Sequence, residues 1–288
     1  MAATKSGNAR VLLIRHGEST NNVLSEELVK KVKDGSASRD DVMVEWLKRR
    51  SSDPALTDMG HLQARDLAEY LAPVLAEEIK AGSPVFLSCS PMLRACLTVH
   101  PLGKALAELS SFSLSDVEVR SDAFEVHGHY SGKERRSGAC QTAAEIKGRF
   151  GFNTSKLATS GPWWSSGFES RTDAVARARR VAQELRSADF RERKLKGRGI
   201  FVLVAHADFL DLLLQEALHV RTSVNEAPPI LGEGDSTYSA TQKGNRPHLF
   251  NFQNTSRTML KLLPDSSVRV AYIGRAEHTK NIKTPSRL

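Results

Sequence analysis

Three apolar runs rich in β-formers, VLLI (11–14), VFLS (85–88) and IFVLVA (200–205), interrupt a mostly polar chain, and a helical pattern follows each. That order predicts a parallel sheet with helices packed on it. After the first run the chain stays polar through 33–50. Beyond it, Thr57 is placed to N-cap a helix carrying Leu62, Leu67, Leu71 and Leu75, with a kink expected at Pro73. After the second run, Ser90-Pro91 reads as a helix start with proline in the first turn; after the third, Asp208 begins the apolar-faced DFLDLLLQEAL. Residues 117–120 predict a short strand. Residues 171–186 predict an exposed helix with Val175, Ala178, Val181 and Leu185 inward, and 259–263 and 268–273 two strands joined by a PDSS turn. The Gly/Ser/Trp-rich stretch 131–167 predicts no regular element, and no repeat or Gly/Pro linker divides the chain.

Composition narrows the partners. With 41 Lys+Arg against 33 Asp+Glu in 288 residues, the net charge of +8 favours anionic ligands. The densest basic cluster, RERKLKGR (191–198), has no interleaved aromatics and reads as a solvated helix end, so no nucleic-acid partner is expected. Three cysteines, Cys89, Cys96 and Cys140, without CxxC spacing point to a reducing compartment and away from a disulfide framework or zinc finger. The amino terminus lacks an apolar signal core, and no apolar run approaches the ~20 residues of a membrane helix, so neither secretion nor membrane contact is expected. A cytoplasmic protein is the plain expectation. The alternative is a peroxisome or glycosome, because Ser286-Arg287-Leu288 differs by one residue from the Ser-Lys-Leu address read by an import receptor. A chance tripeptide is the competing explanation.

The chemistry sits where the strands stop. In open α/β sheets, ligands bind beyond the carboxyl ends of the strands. Here the first run ends in Arg15-His16, the second runs into Cys89-Ser90-Pro91 and Arg94, and the third ends in His206. Two guanidinium forks and two imidazoles beside helix N-termini suit a phosphoryl group. A neutral imidazole can attack phosphorus through a phosphohistidine, and the arginines clamp the non-bridging oxygens. A protonated His206 would add a third cationic donor.

RHGEST with Asn22, then LTDMGHLQA, SCSPMLRACLT and VAHADFLD, in that order, resemble the histidine phosphatase superfamily, which includes cofactor-dependent phosphoglycerate mutases. The resemblance covers the chain from about Val11 to His219. It implies an α/β three-layer sandwich with a mostly parallel central sheet flanked by helices, phosphoglycerate mutase-like. It further implies one domain over 1–288, with insertions at about 24–54 and 126–170 and a short basic tail over 275–288. Carried over residue by residue, it makes His16 the nucleophile and gives the phosphate pocket to Arg15, Arg94 and His206. Ser19 and Asn22 would contact the phosphoryl group, and Ala207 would keep the backbone N–H where the family often has glycine. Glu125 in SDAFEVHG matches the general acid, with Glu134 the alternative and Glu118 a solvent-facing strand residue. Lys133, Arg135 and Arg136 follow the acid and could touch an anionic substrate. Neither a metal nor a cofactor is implied; the expected partner is a small phosphorylated substrate, with a homodimer kept open.

Plainer readings stand beside these. Ser19 and Asn22 are good helix caps, Glu18 could orient its loop, and Trp163-Trp164 could be a lid or packing. His127 and His129 could bind a metal or lie in an ordinary loop; His61 and His219 read as exposed. A cysteine-phosphatase loop needs five residues between Cys and Arg, whereas Cys89 and Arg94 have four between them. Metal-dependent hydrolysis through His16, Glu18, His206 and Asp208 would leave both arginines without a role. Thr20-Asn21-Asn22 stands where mutases of the family carry Trp-Asn. The expectation is therefore a phosphomonoester hydrolase independent of metal, with mutase or sugar-bisphosphatase activity as the alternative and a silent phosphate-binding scaffold as the second.

Overall fold

The computed structural model describes residues 8–131, 136–137, 140–220 and 249–279, with backbone alone at 131, 136 and 137. In chain order the strands are β1 (Ala9–Arg15), β2 (Val85–Cys89), β3 (Val117–Val119), β4 (Tyr130–Ser131), β5 (Arg136–Ser137), β6 (Ile200–Ala205), β7 (Arg257–Leu262) and β8 (Val268–Arg275). The helices are α1 (Thr20–Lys33), α2 (Arg39–Arg49), α3 (Asp58–Lys80), α4 (Leu93–Leu109), α5 (Ala143–Phe150), α6 (Arg171–Arg186) and α7 (Ala207–Ala217).

Six strands form one sheet in the order β3-β2-β6-β1-β7-β8, and β4 pairs with β5 apart from it. From β3 to β1 the pairing is parallel; β7 runs antiparallel to β1 and β8 antiparallel to β7. The sheet is mixed, with its parallel part in the predicted place. Every residue of β6 is buried, as expected for a strand covered on both faces. Successive side chains point to opposite layers: Leu12, Ile14, Val202 and Val204 pack with Leu67 and Leu71 of α3 and Val99 and Leu102 of α4. On the other face Val11, Leu13, Phe201 and Leu203 meet Ala178, Val181 and Leu185 of α6 and Leu210 and Leu213 of α7. These two apolar layers hold the strand ends at fixed heights.

Several elements differ from their sequence expectations. The helix after β2 starts at Leu93 rather than Ser90, because the Ser90 Oγ accepts the Met92 N–H at 3.2 Å and shapes a turn before the helix. The helix expected at Asp208 begins at Ala207, with His206 at its N-cap position. Thr57 caps α3 as predicted, and that helix continues through Pro73 to Lys80. The polar stretch after β1 is a helical hairpin: α1 and α2 close a small separate core of Leu24, Leu28, Val29, Val42, Met43 and Trp46. Its charged residues pair across the hairpin, Lys31 Nζ with Glu45 at 2.9 Å and Arg49 with Glu27 at 2.7 Å. Within the stretch expected to be irregular, Thr142 caps α5 and Gly151 ends it in a left-handed conformation at φ 74°. Glu134, Arg135 and the Ser286-Arg287-Leu288 tripeptide lie outside the described residues. Among the described residues no helix is long and apolar enough to cross a membrane.

Candidate active site

Strand register builds the centre of the site. Arg15 of β1 is paired with Ala205 of β6, so the next residues, His16 and His206, leave adjacent strands side by side. Their ring centroids lie 5.1 Å apart. Cys89 of β2 pairs with Val204 on the other side of β6, which delivers Ser90 and then Arg94 to the same edge. Two glycines let the loops close: a Cβ on Gly17 would stand 2.7 Å from the Gly60 carbonyl oxygen, and one on Gly60 only 2.0 Å from that of Glu18. The glycines of RHGE and LTDMG are therefore a packed backbone contact. Glu18 itself accepts from the Thr57 hydroxyl at 2.7 Å, which fits loop orientation.

His16 is 3 % exposed, with Nδ1 2.7 Å from the Gly17 carbonyl oxygen. A carbonyl can only accept, so Nδ1 carries the proton and the lone pair belongs to Nε2. Arg94 Nε donates to that lone pair at 3.1 Å. Burial, then the Arg94 and Arg15 charges, hold the His16 pKa well below 6.5, against a smaller opposing effect of the Gly17 bond. The imidazole is neutral. His206 Nε2 lies 2.8 Å from the Ser90 Oγ, a hydroxyl that can donate to it or accept from it, and its other ring nitrogen is Nδ1. That buried Nδ1 has no hydrogen-bond partner among the described residues. Burial, then Arg94 and His16, depress the His206 pKa well below 6.5. Desolvation thus disfavours the imidazolium, whereas the protonated His206 weighed from the sequence was conditional on a phosphoryl dianion beside it, whose charge acts in the opposite direction.

Arg15 donates from Nη1 to the Phe252 carbonyl at 2.8 Å. Asn254 Nδ2 reaches the His16 carbonyl at 3.1 Å and Asn22 Oδ1 at 3.3 Å. Ser19 and Asn22 form the capping box of α1, so the capping reading holds, and both also line the cleft over the site. Glu125 is buried, and its Oε1 accepts from the Val126 N–H at 2.9 Å and the Phe209 N–H at 3.1 Å, at the first turn of α7 that Ala207 opens. Phe252 and Asn254 carried no distinguishing sequence signal, and Ser90 was read from the sequence as a helix start.

Arg177 was read as part of an exposed helix, but it is buried, paired bidentately with Glu169 at 2.8 and 2.7 Å. Its Nη1 donates at 3.0 Å to the carbonyls of Asp122 and Phe124, fixing the turn that presents Glu125. Its position on the inward stripe with Ala174, Ala178 and Val181 was the available signal. Asp53 also went unnoticed. Its Oδ1 accepts the Leu93 N–H at 3.0 Å at the start of α4, and burial pushes its carboxyl up to about 7 despite the Arg94 charge.

Above these groups lies a narrow cleft lined by Arg94 and Glu125, by Ser19 and Asn22 of the α1 capping box, and by Arg50 and Tyr130. His16 sits beneath the Arg94 guanidinium. Of the basic run after the acid, Arg135 is outside the described residues and Arg136 contributes backbone to β5. His127 stacks on Phe168 and His129 lies edge-on to Trp163; no group of three metal-ligating side chains occurs among the described residues. Trp163 and Trp164 pack on Phe124, and a Cβ on Gly128 would touch the Trp164 ring at 2.5 Å, which favours packing over a lid. Cys89 is fully buried within β2.

Two solved structures share the fold with a TM-score of 0.50 at 22 % identity, each covering 92 % of this chain and 98 % of the other: mycobacterial hydrolase 1, and mycobacterial glucosyl-3-phosphoglycerate phosphatase in complex with VO3. No curated protein matches the chain significantly in sequence. The family model of the histidine phosphatase superfamily, branch 1, matches residues 11–255, a span that begins in β1, takes in both histidines and ends beside Asn254. This chain belongs to the histidine phosphatase superfamily.

Proposed function

We propose that the chain hydrolyses monoesters of small phosphorylated metabolites through a phosphohistidine on His16. The observation that carries the reading is a neutral imidazole whose Nε2 lone pair faces a fixed guanidinium, Arg94 Nε at 3.1 Å. A dianionic phosphoryl group competes with that lone pair for Arg94 and draws it off, which uncovers the nucleophile at the moment substrate arrives. His16 Nε2 then attacks phosphorus, the P–O ester bond breaks, and Glu125 gives its proton to the departing alkoxide. Glu125, now ionised, takes a proton from water as that water attacks the phosphohistidine; orthophosphate leaves and His16 is restored. Arg15, Arg94 and His206 hold the charge that spreads over the non-bridging oxygens, with Asn22, Ser19 and the Ala207 N–H as further donors. The small polar cleft supports a compact substrate. Aryl phosphate turnover in the presence of a strong chelator, wild type against His16→Ala, tests the reading: activity in the variant equal to wild type defeats it.

A further inference from the structure

The α1–α2 hairpin brings one more cation to the cleft. Arg50, the residue that ends α2, lines it together with Asn21, Ser52 and Tyr130. Its segment is pinned on three sides. Asn21 and Ser51 exchange two hydrogen bonds at 2.9 and 3.0 Å, the Thr20 N–H donates to the Ala55 carbonyl at 3.1 Å, and the Leu93 N–H donates to Asp53. The guanidinium lies 3.8 Å from the Tyr130 ring centroid and 5.6 Å from that of Trp46, and Nη1 donates to the Tyr130 carbonyl at 2.7 Å. That bond is its only one among the described residues: no carboxylate pairs with it, and its Nε is buried without an acceptor.

A half-buried, rigidly held cation with unspent donors and no counter-anion among the described residues is costly by itself, and the cost is relieved by an anion that fills those donors. The phosphoryl group is not that anion, because Arg15, Arg94 and both imidazoles already converge beneath the cleft. We infer that Arg50 is a specificity residue that binds a second anionic group, carboxylate or phosphate, on the leaving-group side of a phosphomonoester. The inference rests on the cleft being the phosphomonoester site proposed above. Arg50 belongs to the hairpin rather than to any of the strand ends, so this subsite is a property of that hairpin.

The test is a binding cycle on the full chain. Calorimetric affinities are measured for hydrolysis-resistant alkylphosphonates, for ω-carboxyalkylphosphonates and for alkane bisphosphonates of two to four carbons, with wild type, Arg50→Gln and Arg50→Lys. The expected result is that at one chain length or more a second anion tightens binding to wild type about tenfold or more, the scale of a charge-assisted hydrogen bond. That ratio collapses to about one in Arg50→Gln and is partly restored in Arg50→Lys, which keeps the charge without the fork. Because each ratio is taken within one protein, a general loosening of the cleft cancels. A gain confined to carboxylates or to bisphosphonates identifies the class of the second anion. A gain absent at every length, or one that survives Arg50→Gln, overturns the inference while leaving the hydrolase reading intact. Failure of every alkylphosphonate to bind wild type overturns both.

Discussion

The floor and the rim of this cleft are built by different physics. On the floor, Arg15, His16 and His206 come from the ends of β1 and β6, whose parallel register places the two histidines side by side, and Arg94 follows β2 in the first turn of α4. On the rim, Arg50 and Tyr130 come from segments whose positions depend on a separate small core and on a stacked guanidinium. The floor is rigid because moving it means breaking the main sheet. The rim can be remodelled by changing a hairpin, which is how one reaction centre can serve different leaving groups.

The sharpest way to break this contrast is to disturb each part separately. Arg94→Ala removes a floor cation and is expected to cut kcat by about 10³- to 10⁵-fold on every phosphomonoester, the scale seen for guanidinium groups that stabilise phosphoryl transfer. A loss confined to some substrates would move Arg94 to the rim. Glu125→Gln is expected to cost about 10²- to 10⁴-fold for alkyl phosphates, whose alkoxide must be protonated, and much less for nitrophenyl phosphate. Equal losses on both would remove Glu125 as the proton donor and turn attention to Glu134. Leu28→Ala in the hairpin core is expected to cost about 2 kcal/mol or more of local stability, read by hydrogen exchange over α1 and α2. It should change the order of preferred substrates while the main sheet keeps its protection. Loss of protection in β1 and β6 as well would show that rim and floor form one unit.

The smallest effect is electrostatic. His16 and His206 have folded pKa values below 6.5, so below that pH the unfolded chain binds more protons, and stability is lost as the pH falls through this window. Asp53 works the other way: raised from 3.8 to about 7, it favours the folded state as pH falls through that range. The Tm of Asp53→Asn should therefore drop more steeply than that of wild type between pH 7 and pH 5, and that of His206→Gln less steeply. Parallel curves for all three would contradict the assignment.

The same division explains what could be read from the sequence. Apolar runs that end in Arg, His or Ser-Pro announce both strand and chemistry locally, so the parallel part of the sheet and four floor residues were legible. Asn254 and Arg177 were not, because each acts through contacts far along the chain: Asn254 on the His16 carbonyl, Arg177 on the turn before Glu125. The hairpin escaped because α2 is short and its apolar residues Val42, Met43 and Trp46 are embedded among charges. Arg50 looked like the end of a polar stretch, and only the fold of that stretch puts its guanidinium in the cleft. Ser90 was assigned to a helix start that its own hydroxyl displaces by shaping the preceding turn.

The most direct measurement is the fate of the phosphoryl group in a single turnover. Enzyme in excess is mixed with a phosphomonoester, quenched in alkali within the turnover, and digested, and the phosphorylated residue is located by mass spectrometry. The account predicts one acid-labile, alkali-stable phosphoryl group on His16, formed as leaving group is released and lost as orthophosphate is produced. Turnover with no phosphoenzyme, or a phosphoryl group on any other residue, would contradict it.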